Sequence, residues 1–317
     1  MLGAVVRIYK MKTIEDLRKS RDSREKILAE FGEVPESILK YDRSVKAIDL
    51  MAEERSYASK ANDGGHVGKL ATVFDVSGQS CRGAEGALSR FPQNVGRKLL
   101  LLYSKRGDTV VDPFAGHNSR MELCWRNGRN YIGHDICEKF MEANHTIAAM
   151  LAEEATADMF GGTEYTAWIK LHKCDSRAMP TETGIGDFTI TSPPYWDLEQ
   201  YGDEPEQLGI GKTYENFLLG LAAVARENFR CLKSGAFCVW CVNDFRKGGR
   251  FYSYHEDTCD VLRAAGFVQH DIAITDLGPS MRAAFASQVI ETKIIPKRHE
   301  YCLVFRKPEA PNEKHLP

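Results

Sequence analysis

No run of apolar residues in the 317-residue sequence approaches the roughly 20 needed to cross a bilayer, so no membrane span is expected. A large excess of either charge is also missing. The formal net charge is −2 at pH 7, which is not the signature of a strongly basic nucleic-acid binder. There are nine cysteines, an odd number scattered along the chain, which fits reduced core thiols better than a disulfide framework. The closest pair, Cys238 and Cys241 in AFCVWCVND, is three residues apart on a predicted strand. Such positions face opposite ways, so no shared metal is expected. There is no internal repeat and no low-complexity tract. The opening MLGAVVRIYK lacks the apolar length and small-residue cleavage pattern of a signal peptide, and a cytoplasmic location is expected.

What is present is an orderly alternation. Residues 1–61 read as an N-terminal helical extension, its helices broken at Gly32 and Pro35. Residues 62–308 read as one α/β domain, and 309–317 as a tail. Within 62–90 the chain is rich in Gly and Ser, with one strand-like piece, ATVFDVS. NVGRKLLLLYSKRGD reads as a helix. Strands are then expected at 109–114, 129–136, 164–175, 187–192, 236–244, 267–276 and 300–307. Helices fit at 119–127, 137–155, 213–232 and 255–265. This pattern predicts a mostly parallel sheet with helices on both faces. Basic residues cluster in FRKGGR (245–250) and KIIPKRHEY (293–301), where solvated surface is the ordinary reading.

In open α/β sheets ligands sit outside the carboxyl ends of the strands, so the residues after each strand matter most. The first strand leads into DPFAGHNSR, where Gly116 permits close backbone approach and the next helix offers its N-terminus. The second ends in Asp135, about twenty residues on, the spacing at which a carboxylate meets ribose hydroxyls. The third ends in Asp175. Each acid could equally be a helix N-cap. The fourth strand ends in SPPYW, where two prolines stop the ladder and hold an aromatic just beyond it.

Together VVDPFAG, YIGHDI, KCDSR, TSPPYW and HEYCLVFRK resemble the S-adenosylmethionine-dependent DNA amino-methyltransferases, over residues 70–307. The resemblance implies a Rossmann-like, mostly parallel seven-stranded sheet with an antiparallel last strand. It implies that Asp112, Phe114, Ala115 and Gly116 line the methionine and adenosine parts of the cofactor. Asp135 would meet the ribose, Asp175 would sit near the adenine, and Phe91 and Pro92 would close over the methionine end. Ser192, Pro193, Pro194 and Tyr195 match the catalytic tetrad, with Tyr195 a stacking face for a flipped base. Trp196 beside it, and Arg282, Lys293, Lys297 and Arg298, would meet DNA.

The family's second turn glycine is replaced here by Asn118, the non-glycine residue that best tolerates a left-handed backbone. No large target-recognition domain is evident; loops 197–213 and 277–298 are expected to serve instead. By the resemblance, Ser before the two prolines points to N4 of cytosine ahead of N6 of adenine. RNA, a protein amide, or a non-catalytic DNA-binding module remain alternatives. Carbon-5 methylation needs a Pro-Cys nucleophile, and the chain has no Pro-Cys. The expected partner is DNA, in a restriction–modification setting, with no metal and a monomer or homodimer as the assembly.

Overall fold

The computed structural model describes residues 38–40, 91–117, 119–160, 167–199, 201–277 and 286–309. The chain divides into units 1–36 and 37–317; the first lies outside the described residues. Residues 37 and 41–61 of the expected helical extension, the ATVFDVS piece, Asn118 and Arg282 also lie outside them.

The second unit is built on an eight-stranded sheet. In chain order its strands are β1 (Ile38–Lys40), β2 (Thr109–Asp112), β3 (Asn130–Asp135), β4 (Ile169–Lys173), β5 (Gly186–Thr191), β6 (Leu232–Val242), β9 (Val268–Asp276) and β10 (His299–Arg306). A separate two-stranded ribbon is made of β7 (Phe245–Lys247) and β8 (Arg250–Tyr252). The sheet order is β1-β9-β10-β6-β5-β2-β3-β4, the seven expected strands with β1 added at one edge. Every neighbouring pair is parallel except the two made by β10, which runs against both β6 and β9. All the parallel strands therefore end on one edge, and β10 begins there, with His299 opposite Asp276.

Helices α1 (Gln93–Tyr103), α2 (Ser119–Arg126), α3 (Glu138–Phe160), α4 (Tyr214–Cys231) and α5 (Tyr254–Ala264) connect the strands, and α6 (Ala286–Thr292) lies between β9 and β10. The sheet separates two cores. On one face Val95, Leu100, Leu123, Tyr131, Ile147 and Phe188 pack together. On the other Phe217, Leu221, Trp240, Leu262 and Phe305 do so. Strand β6 feeds both by strict alternation: Cys238, Trp240 and Val242 point one way, Val239 and Cys241 the other. Cys238 and Cys241 thus stand in different cores, as their spacing predicts. Each large side chain buried this way contributes about 1.5–3 kcal/mol.

One expectation is corrected. Ile38–Lys40 falls in the stretch read as helix from its charged, periodic sequence, yet it forms an edge strand parallel to β9, Ile38 opposite Ile274. A ladder partner supplied by the sheet overrides local helix propensity. The ribbon β7–β8 is also new relative to the sequence reading, which takes FRKGGR as a plain basic cluster.

Helix α2, which follows the turn after β2, is fixed from behind by a buried ion cluster. Arg126 donates from Nε to Glu122 (2.6 Å) and from both terminal nitrogens to Glu154 on α3 (2.8 and 3.0 Å). Glu122 is wholly buried. Replacing Arg126 alone removes the ion-pair partner that Arg126 gives this buried carboxylate. Arg126→Met is expected to lower stability by about 3–5 kcal/mol, and adding Glu122→Leu should recover most of it, as the urea-unfolding midpoints of the three proteins would show.

Candidate active site

The order of the sheet reverses between β2 and β5, and a crevice opens at their carboxyl ends. The two strands pair at only one position, Val110 with Phe188. What holds their ends together is the Asp112 side chain. Its Oδ1 accepts from the Thr191 hydroxyl at 2.6 Å and from the Phe114 amide at 3.0 Å. Its Oδ2 accepts from Arg120 Nε at 2.7 Å and from the Tyr131 hydroxyl at 2.8 Å. Asp112 is completely buried, with its acceptor sites taken by protein donors, and it does not line the crevice. The expectation that it touches the cofactor is corrected. Its carboxylate faces inward because donors from α2, β3, β5 and the turn converge on it.

Phe91 and Pro92 are likewise buried and stand behind the crevice rather than in its lining. The Arg120 guanidinium lies over the Phe91 ring, 5.3 Å from its centre, and binds the carbonyls of Phe114 and Ala115. Phe91 therefore supports the turn at second hand. The sequence reading misses Arg120; an arginine eight residues after Asp112 is the available signal.

The crevice itself holds about 910 Å³ of empty space, mouth included. Its lining runs from Phe114, Ala115 and Gly116 past Asp135, Ile136 and Phe140 to Cys174 and Asp175, and ends at Ser192, Pro193, Pro194 and Tyr195. The structure thus brings together the expected residues of four strand ends. Gly116 has φ +54°, a left-handed conformation that explains the glycine. Its amide donates to Asp135 Oδ2 at 2.7 Å, and its carbonyl accepts from Asn144 at 2.7 Å. Asp135 Oδ1 accepts from the Cys137 amide at 2.9 Å. Burial pushes the Asp135 carboxyl up to about 6, against the pull of those two amides. Asp175 caps the short 3₁₀ turn Ser176–Ala178, and both its oxygens are held by Arg177 at 2.6–3.0 Å.

Ser192 lines the crevice, and its hydroxyl has no hydrogen-bond partner among the described residues. The carbonyl of Pro194 accepts from the Tyr254 hydroxyl at 2.9 Å, which fixes the turn. The Tyr195 ring also lines the crevice, 5.8 Å from the Tyr254 ring, and its hydroxyl faces Glu300 Oε1 at 3.4 Å. Burial raises the Glu300 carboxyl to about 7. Glu300 lies in the HEYCLVFRK stretch, where the sequence alone does not mark it as a site residue.

Trp196 does not face outward. Its indole packs among Tyr214, Phe245 and Tyr252, and its Nε1 donates to the Lys212 carbonyl at 2.9 Å. It has φ +47°, and a side chain at Gly209 would collide with its carbonyl, so this glycine is what allows the loop to close. The expectation that Trp196 meets DNA is corrected: it is an anchor for loop 197–213. That loop supplies Glu199, Tyr201, Glu206, Gln207 and Leu208 to the crevice wall. The predicted DNA contacts on the other loop are mixed. Arg298 is bound to Asp276 by two bonds of 2.8 and 2.6 Å, so its charge is already matched. Lys293 is exposed in a left-handed conformation after α6, and Lys297 donates to Asn243 at 3.2 Å.

The sequence model of a family described as DNA methylase matches residues 8–147, a stretch that includes the Gly116 turn and Asp135 and ends before Ser192. No curated protein matches the chain. Among solved structures, the chain is similar to a SAM-dependent methyltransferase from Methanosarcina mazei, at 13% identity over 70% of this chain and 100% of that one, with a TM-score of 0.44. It is also similar to a candidate methyltransferase from Bacillus halodurans, at 13% identity over 67% and 98%, with a TM-score of 0.43. A candidate DNA modification methylase from Thermus thermophilus is 30% identical over 45% of this chain and 59% of that one, with a TM-score of 0.31. The fold is a Rossmann-like α/β sheet, mostly parallel, with β10 the antiparallel strand. The family match covers less than half of the chain and is a likeness to DNA methylases over that stretch.

The inward role of Asp112 is open to test. Asp112→Ala leaves the buried Arg120 without its counter-charge and should cost about 3–5 kcal/mol in stability. Asp112→Asn should cost less, since it keeps an acceptor for Thr191 or Arg120. Unfolding midpoints in urea read both outcomes.

Proposed function

We propose that the protein transfers a methyl group from S-adenosylmethionine to the N4 amine of cytosine in DNA. The observation that carries this reading is the crevice that joins Asp135 and the Gly116 turn to Ser192 and Tyr195. The residues present fit the cofactor. Asp135 offers remaining lone pairs to ribose hydroxyls, Ile136 and Phe140 offer an apolar wall to an adenine, and Gly116 allows close approach of the chain. When bound, the cofactor supplies an electrophilic methyl group on a sulfonium, so no protein nucleophile is needed.

The work left to the chain is done by acceptors and a ring face. An exocyclic base amine is a weak nucleophile because its lone pair is shared with the ring. The Ser192 hydroxyl, with no other partner among the described residues, can accept an N–H of that amine and favour tetrahedral nitrogen. The backbone carbonyl of Pro193 is a second acceptor, its direction restricted by the two prolines. Tyr195 offers its face to a base extruded from the duplex. A Ser ahead of the prolines supports cytosine over adenine, by the family resemblance.

Ser192→Ala should lower the single-turnover methylation rate by about ten- to a thousandfold, with DNA affinity little changed. Tyr195→Ala should instead impair capture of the flipped base, and Tyr195→Phe should keep much of the activity. Mass analysis of digested product DNA locates the methyl group. N6-methyladenine would shift the substrate to the alternative base, and a methyl at ring carbon 5 would overturn the mechanism.

The Asp135 assignment makes a separate pH prediction. Ribose hydroxyls donate to a carboxylate and favour its ionised form, whereas burial by the protein raises its pKa to about 6. Cofactor affinity should therefore rise with pH up to about 6 and level off above it, approaching tenfold per unit on the acid side. Binding at pH below 6 should release a proton, detectable by calorimetry in buffers of different ionisation enthalpy. Asp135→Asn should remove the pH dependence.

A further inference from the structure

We propose that the ribbon β7–β8 is a DNA-contacting arm, in which Arg246 and Arg250 hold phosphates and Phe251 rests against the nucleic acid; this rests on the methyltransferase reading above. The ribbon springs from the carboxyl end of β6, which lies beside the end of β5, Trp240 opposite Thr191. It is therefore rooted next to the SPPYW turn. Its turn is Gly248-Gly249, with φ +58° and +81°, the two-residue hairpin that requires a left-handed backbone at both central positions.

The two faces of the ribbon differ. The inner pair, Phe245 and Tyr252, stacks at 5.1 Å and packs on Trp196 and Tyr214. Lys247 also turns inward, its ammonium 4.5 Å from the Trp196 ring and paired with Asp197. The outer pair is Arg246 and Phe251, both exposed, the guanidinium 5.1 Å above the ring. Arg250 is exposed at the turn and lies 4.9 Å from the Tyr252 ring. Neither Arg246 nor Arg250 has a carboxylate partner among the described residues, in contrast to Arg298 and Lys247.

Charge decides the occupant. The loop after the SPPYW turn is acidic, with Asp197, Glu199, Asp203, Glu204 and Glu206 against Lys212. A polyanion is turned away from that loop and drawn to the ribbon, where Lys297, tied to Asn243 at the end of β6, adds a further cation. An exposed aromatic backed by arginine suits stacking on a base or sugar. A rigid ribbon held by an aromatic inner face loses little conformational freedom when it binds.

The test is the salt dependence of binding to a labelled mixed-sequence DNA duplex, followed by fluorescence anisotropy between about 50 and 200 mM salt. Arg246→Ala with Arg250→Ala should weaken binding roughly ten- to a hundredfold at the low end and flatten the slope of log K against log salt by about 1.8. Arg246→Lys with Arg250→Lys should restore most of that slope. Phe251→Ala should weaken binding while leaving the slope unchanged, because it carries no charge. Arg263→Ala, a cation already paired with Asp260 on α5, should change neither. Cofactor affinity should stay the same in every variant, which checks that each is folded. An unaltered slope in the double alanine variant, with the unmodified protein binding and methylating DNA, overturns the ribbon's role and leaves the methyltransferase reading standing. Failure of the unmodified protein to bind or methylate duplex DNA overturns both. Preferential, ribbon-dependent binding of an RNA duplex overturns the assignment of DNA as the partner.

Discussion

The buried carboxylate of Asp112 is the constraint on which the rest of the site depends. One side chain joins the end of β2 to the end of β5, orders the turn after β2 through the Phe114 amide, and balances the charge of Arg120. Arg120 in turn holds the carbonyls of Phe114 and Ala115. The turn at Gly116 and the turn at Ser192 are thus positioned by a shared anchor that stands outside the crevice. A buried ion pair adds little net stability, but its geometry is unforgiving, and that suits a site whose two halves must keep a fixed separation.

The same logic repeats further out. Asp135 is placed by the Gly116 and Cys137 amides, the Gly116 turn by Asn144, and the SPPYW turn by Tyr254 and the packing of Trp196. Each of these groups sits on a strand end and is aimed by a residue from a different element. Such support holds the groups that line the crevice at fixed positions.

Much of this is legible in the sequence, for identifiable reasons. Strands β2, β3, β5 and β6 announce themselves by runs such as TVVD and FTIT, largely buried on both faces. The order of their acidic and prolyl endings is enough to put Asp135, Asp175 and Ser192 on one edge. What cannot be read is direction. Asp112 and Asp135 look alike in one dimension, yet one turns into the core and the other into the crevice. Trp196 reads as a surface aromatic at the end of the SPPYW motif, and only the long-range packing of Phe245 and Tyr252 draws it inward. Ile38–Lys40 has the composition of a helix and becomes a strand because β9 offers it an edge. Phe91 has the expected neighbours but reaches the turn only through Arg120.

The position of β10 has a consequence for how the molecule is made. Among the described residues it is the last strand of the sheet in chain order, yet it lies in the interior, between β6 and β9. Until residues 299–306 leave the ribosome, β6 and β9 present facing, unpaired edges on either side of a slot, with Trp240 and Val242 along it. Strands β2 to β5 can pair before β10 exists, but the sheet is completed only when β10 inserts between β6 and β9. The nascent chain therefore passes through a stage with two sticky edges, the condition under which strands from neighbouring chains pair. A product that stopped before His299 would be an aggregation-prone fragment rather than a weakened version of the protein.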